Sequence, residues 1–78
     1  MKPILIKYCR GISGLTQKEL ADKAGVNHSL ISRIESGDKP VTTETEQKIM
    51  KVFADVGIDT EIIQHINSII INHKKPQA

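Results

Sequence analysis

Apolar residues fall along the chain in five short helical stretches. Pro3 suits the first turn of a helix, where its missing N–H costs nothing, and Ile4, Leu5, Tyr8 and Cys9 then repeat on one face up to Gly11. Thr16 and Glu19 have the spacing of a capping box, with Leu15 placed to staple onto Leu20, so a second helix is expected from Gln17 to about Ala24. Gly25 stands where a left-handed residue closes a helix, and two residues later Asn27 can cap the next. That third helix, within Asn27 to Ser36, has Ile31 and Ile34 on one side, with Val26 just ahead, and is closed by Gly37.

Asp38 to Val41, with Pro40, reads as a loop, after which Thr42 or Thr43 caps a fourth helix with Glu46 in its first turn. Ile49, Val52, Phe53 and Val56 form its expected buried stripe. After Gly57, Asp59 can cap a fifth helix carrying Ile62, Ile63, Ile66, Ile69, Ile70 and Ile71 to about His73. Residues 1–73 are read as one all-α domain and 74–78 as a flexible tail. A chain of 78 residues is long enough for one core and too short for two.

Composition narrows the chemistry. Tyr8 and Phe53 are the only aromatic residues, so the core is built from aliphatic side chains. A single cysteine, Cys9, allows no internal disulfide and no cysteine-rich zinc site. No apolar run is long enough for a membrane span and no signal-peptide pattern opens the chain, which implies a cytoplasmic protein with no membrane partner. The net charge of +2 is unremarkable in size. Its distribution matters more: Lys2, Lys7, Arg10, Lys18, Lys23, Arg33 and Lys39 lie in the first half, while Glu44, Glu46, Asp55, Asp59 and Glu61 crowd the second.

Catalysis finds little support. His65 and Glu61 are one helical turn apart, but neither His28 nor His73 supplies a defensible third ligand, and Ser29 and Ser32 have no base assembled around them. No metal, cofactor or enzymatic activity is expected.

Two short helices joined by a tight glycine turn make a helix-turn-helix, whose second helix can project from the body. The outward side of the third helix carries Asn27, His28, Ser29, Ser32 and Arg33. These are short or medium hydrogen-bonding groups that let a helix approach base edges in the major groove. A polar face of this kind is also that of any solvated helix, and composition leaves both readings open.

The segment LTQKELADKAGVNHSLISRIESGDKP, Leu15 to Pro40, resembles the Cro/repressor-type (XRE-like) helix-turn-helix regulators of phages and bacteria, and with its flanking helices the likeness spans roughly residues 2 to 57. The resemblance implies a five-helix lambda-repressor-like fold and a transcriptional regulator binding double-stranded DNA. It assigns base reading to Asn27, His28, Ser29, Ser32 and Arg33, with Asn27 alternatively a cap alone and Ser32 alternatively a phosphate contact. Backbone contacts fall to Thr16, Gln17, Lys18, Ser36 and Lys39, with Lys7 a weaker candidate. Gln17 occupies the place of the family's glutamine that touches the DNA backbone and braces the recognition helix. Arg10 and Glu35 match a structural ion pair tying the first helix to the end of the third. Leu30 departs from the small polar residue usual at its place and is read as packing at the core's edge, with contact to a thymine methyl the alternative.

The fifth helix carries more isoleucine than one monomer covers, so Ile62, Ile63, Ile66, Ile69 and Ile70 are read as contributing to a homodimer interface. Two subunits would read an inverted-repeat operator. The expectation is a dimeric repressor of phage or mobile-element type, associated with the nucleoid. Related roles are antitoxin and restriction-modification controller, so a protein antirepressor or a toxin is a further candidate partner. The alternative from another class is a protein-interaction module that does not bind DNA.

Overall fold

The computed structural model describes residues 1–74. Its elements are α1 (Pro3–Ser13), α2 (Gln17–Ala24), α3 (His28–Ser36), α4 (Thr43–Asp55) and α5 (Thr60–Lys74), with no strand among the described residues. The all-α expectation holds. Of the expected tail, Lys74 belongs to α5 and 75–78 lie outside the described residues.

The helix boundaries follow local chemistry. Pro3 opens α1 as expected, but the helix runs through Gly11 to Ser13. A glycine inside a helix costs only about 1 kcal/mol relative to alanine, so Gly11 does not stop it. Gly14 does, in a left-handed conformation at φ 73°, with the next N–H, that of Leu15, donating back to the Arg10 carbonyl at 3.1 Å. The α2 capping box forms in both directions: Glu19 N–H donates to Thr16 Oγ1 at 3.0 Å and Thr16 N–H donates to Glu19 Oε1 at 2.9 Å. The bond that the Thr16 N–H donates to its ionised form, followed by the effect of the Thr16 side chain, holds the Glu19 carboxyl below its ordinary pKa. Thr42 caps α4, and Asp59 Oδ1 accepts from Ile62 N–H at 3.0 Å to start α5.

One core takes side chains from all five helices: Leu5, Ile6 and Cys9 from α1, Leu20 and Ala21 from α2, Ile31 and Ile34 from α3, Ile49, Val52 and Phe53 from α4, and Ile63 and Ile70 from α5, with Ile58 between the last two. Phe53 is fully buried in the last turn of α4. α2 packs on α3 and α4, while α1 packs on α3 and α5. Burial raises the Cys9 thiol pKa, which keeps it protonated and unreactive. The N-terminal ammonium pairs with Glu46, tying the start of the chain to the first turn of α4.

Two core expectations are corrected. Tyr8 is 52% exposed, because at about 100° per residue Ile6 turns inward beside Leu5 and Cys9 while Tyr8 turns outward. Val56 is exposed because α4 ends at Asp55 and the chain reverses through Gly57. Ile58 fills the space instead, its N–H donating to the Phe53 carbonyl at 2.8 Å.

Candidate nucleic-acid interface

The turn between α2 and α3 is short because Gly25 adopts a left-handed conformation at φ 71° and Val26 N–H donates back to the Ala21 carbonyl at 3.0 Å. An L-residue there would be strained by roughly 1 kcal/mol. Val26 packs against the core, and α3 starts immediately. Ile31 and Ile34 press one side of α3 into the body, and Leu30 is partly buried against the same cluster.

Asn27, His28, Ser29, Ser32 and Arg33 are all exposed. Asn27 precedes the helix as its cap: its side-chain oxygen accepts from Ser29 N–H and from the Ser29 hydroxyl, both at 2.9 Å. That leaves the Asn27 NH2 group directed at other acceptors and the lone pairs of Ser29 to accept. A cap and a polar contact are therefore compatible in one side chain.

The start of α2 presents a second set of donors. Thr16 accepts the capping bond, which leaves its own O–H to donate. Gln17 Nε2 donates to Glu35 Oε1 at 3.1 Å, joining the first residue of α2 to the last turn of α3. Glu35 in turn receives Arg10 Nε on Oε2 at 2.7 Å and Arg10 Nη2 on Oε1 at 3.0 Å, and Arg10 Nη1 donates to the Leu15 carbonyl at 2.9 Å. The Glu35 side chain is 3% exposed and that of Arg10 17%. The hydrogen bonds to Glu35, with its charge, raise the Arg10 pKa against the opposing effect of burial. One carboxylate thus locks α1, the α1–α2 loop, α2 and α3 together. The sequence named the ion pair and the brace separately; their meeting on Glu35 and the Leu15 carbonyl had no sequence signal, since a backbone acceptor leaves no residue-type trace.

The remaining backbone candidates differ in readiness. Ser36 Oγ donates to the Arg33 carbonyl at 3.0 Å, so its hydroxyl must rotate before it can donate to a phosphate. Lys18 lies 3.7 Å from Asp22, but both are exposed and one helical turn apart, a pairing worth only a few tenths of a kcal/mol. Lys39 is exposed just beyond α3, where the N–H groups of Asp38 and Lys39 donate to the Arg33 carbonyl.

On α5 the isoleucines divide. Ile63 and Ile70 are buried in the core and have almost no surface to give a partner, a correction to their expected place in an interface. Ile66 is partly buried. Ile62 and Ile69 remain outside, 42% and 56% exposed, with Ile71 also exposed. The α5 helix packs on α1 through one side only, which accounts for the split. Among the described residues no group of three His, Cys, Asp or Glu side chains could hold a metal, and no helix is long and apolar enough to cross a membrane.

A family model described as helix-turn-helix matches residues 6–60, from within α1 to the first residue of α5. No curated protein and no solved structure matches the sequence significantly. The matched span contains the α2–turn–α3 unit and its supporting helices, and the five-helix order is that of the lambda-repressor-like fold. With its glycine turn, its outward-facing α3 and this match, the chain belongs to the Cro/repressor-type helix-turn-helix family of DNA-binding transcription regulators.

Proposed function

We propose that this regulator is a cytoplasmic, dimeric repressor of phage or mobile-element type that reads an inverted-repeat operator. The observation that carries the reading is the division of α3: Ile31 and Ile34 fix it to the body while Asn27, His28, Ser29, Ser32 and Arg33 are all exposed. Arg33 has the reach and the paired donors for guanine O6 and N7, and the shorter groups let the helix approach closely. His28 can donate or accept at a base edge without being charged.

Thr16, Gln17 and Lys18 would hold one stretch of backbone at the start of α2, and Ser36 and Lys39 another beyond α3. Glu35 gives the arrangement rigidity, since it sets α2 and α3 relative to α1 before DNA arrives. The exposed Ile62 and Ile69 favour a mate's apolar surface over α5. A dimer would supply two recognition helices for half-sites about one helical turn apart.

Selection of bound duplexes from a random pool, at two salt concentrations and with Arg33→Ala and Ser29→Ala, tests the reading. The expected result is an enriched inverted repeat whose preference changes in the variants. No enrichment at either salt would leave the protein-interaction module as the better account.

A further inference from the structure

We infer that the outer side of α1 is a docking surface for a second copy of this chain, and that what it receives is the outer side of the second copy's α5. The inference rests on the dimeric reading and names the surface that α5 meets. α1 leaves an apolar stripe uncovered: Ile4, Tyr8 and Ile12 recur every four residues, Ile4 partly buried, Tyr8 and Ile12 52% and 61% exposed. With Lys7 and Gly11 they line an open hollow of about 500 Å3. Tyr8 stands two residues, about 200° round the helix, from Arg10, which bonds to Glu35 of α3. The stripe therefore looks away from α3, and α5 is also packed along α1.

Gly11 has no use inside one subunit. Its backbone is not left-handed, and a Cβ there would meet nothing within 4 Å. Glycine inside a helix weakens that helix, whereas bare helix backbone lets a second helix come close. The gain lies with whatever enters the hollow.

Area and charge select a second copy. Even at the roughly 250 Å2 that an entire aromatic side chain can bury, the exposed fractions of Ile62, Ile69 and Ile71 come to well under half of the roughly 800 Å2 that a standard interface takes from each partner. Tyr8 and Ile12 add nearly as much again. Pairing α1 with its own copy would set cation against cation, since Pro3–Ser13 contain no acid and Lys7 borders the hollow. α5 offers the match: Ile62, Ile66 and Ile69 recur at helical spacing, beside an exposed acid, Glu61, in its first turn. Neither Lys7 nor Glu61 forms a salt bridge among the described residues. Reciprocal seating makes each contact twice about a two-fold axis, which closes the assembly at two copies. Lys7 then lies at the rim of a subunit contact and is not a phosphate ligand.

The test is sedimentation equilibrium of the full chain and of variants at exposed positions, their fold checked by far-ultraviolet circular dichroism. Tyr8→Ser should raise the dimer dissociation constant roughly tenfold, as should Ile69→Ser. Gly11→Gln should also raise it while the melting temperature of the dilute monomer holds or rises, so that lost folding cannot account for lost association. Lys7→Glu and Glu61→Lys should each weaken the dimer severalfold, and the two together should restore it. A wild-type dimer broken by Ile69→Ser but untouched by Tyr8→Ser, Gly11→Gln and Lys7→Glu would overturn the share of α1 and leave α5 meeting α5. Tighter association of Lys7→Glu with wild type than of either with itself would put α1 on α1 and overturn the pairing with α5. Wild type monomeric at every concentration would overturn the dimeric reading and this contact with it.

Discussion

α3 and α5 are each held to the body by two buried isoleucines, Ile31 and Ile34 in one, Ile63 and Ile70 in the other. What their uncovered sides add is different. α3 with its cap turns out an amide, an imidazole, three hydroxyls and a guanidinium, whereas α5 exposes Ile62, Ile69 and Ile71 beside Glu61, Gln64, His65 and Ser68. The same anchoring thus serves two different outer surfaces. A polar face can exchange water for base edges and phosphates, while an exposed apolar face gains only by leaving water altogether. On the proposed reading, the contrast would give a chain of this size one surface for DNA and another for a second copy.

The largest expected effect breaks the α3 side of this contrast. Arg10→Met strands the nearly buried Glu35 carboxylate and should cost about 3 to 5 kcal/mol, enough to unfold a domain of this size. Thermal denaturation is the measurement, and a melting temperature equal to wild type would show that the pair does not hold α3. On α5, Ile70→Ala should cost about 2 to 5 kcal/mol through the cavity it leaves. Ile69→Ser, by contrast, should leave monomer stability within about 0.5 kcal/mol and reduce dimerisation in sedimentation equilibrium. Equal stability losses from the two would erase the distinction between the inner and outer sides of the helix.

A smaller effect separates the groups that read from the groups that hold. Arg33→Ala should lose about 1 to 3 kcal/mol of discrimination at one operator position, seen as a flattened preference in competition binding. Lys39→Gln should weaken all sequences alike. The smallest effect lies at the α2 cap beside Gln17. Because the Glu19 pKa is lowered from 4.5 in the folded state, its contribution is fully present above that value and is lost as pH falls through the lowered folded value. Acid titration of stability should therefore be shallower in Glu19→Gln than in wild type.

Much of this was legible along the chain. Pro3, Thr16 with Glu19, Gly25, Asn27, Gly37 and Asp59 act within a few residues of themselves, and each marks its helix end where the structure has it. Gly11 misled because a helix tolerates an internal glycine, and the stop signal lay three residues further on at Gly14. Val56 misled because it extends the helical period of α4 by one position past the point where the chain turns.

By itself, then, the sequence determined the five helices, the tight turn after α2, the polar outer side of α3 and the family. These depend on capping, glycine conformation and periodicity, which are local properties. Only the tertiary structure decided that Gln17, Arg10 and Glu35 meet with the Leu15 carbonyl in one network, that Ile63 and Ile70 belong to the core while Ile62 and Ile69 do not, and that Lys2 and Lys7 stand across from the end of α3. Each of those outcomes turns on which side of one helix is covered by another distant in sequence, and a helical period gives the spacing of a stripe without naming what will cover it.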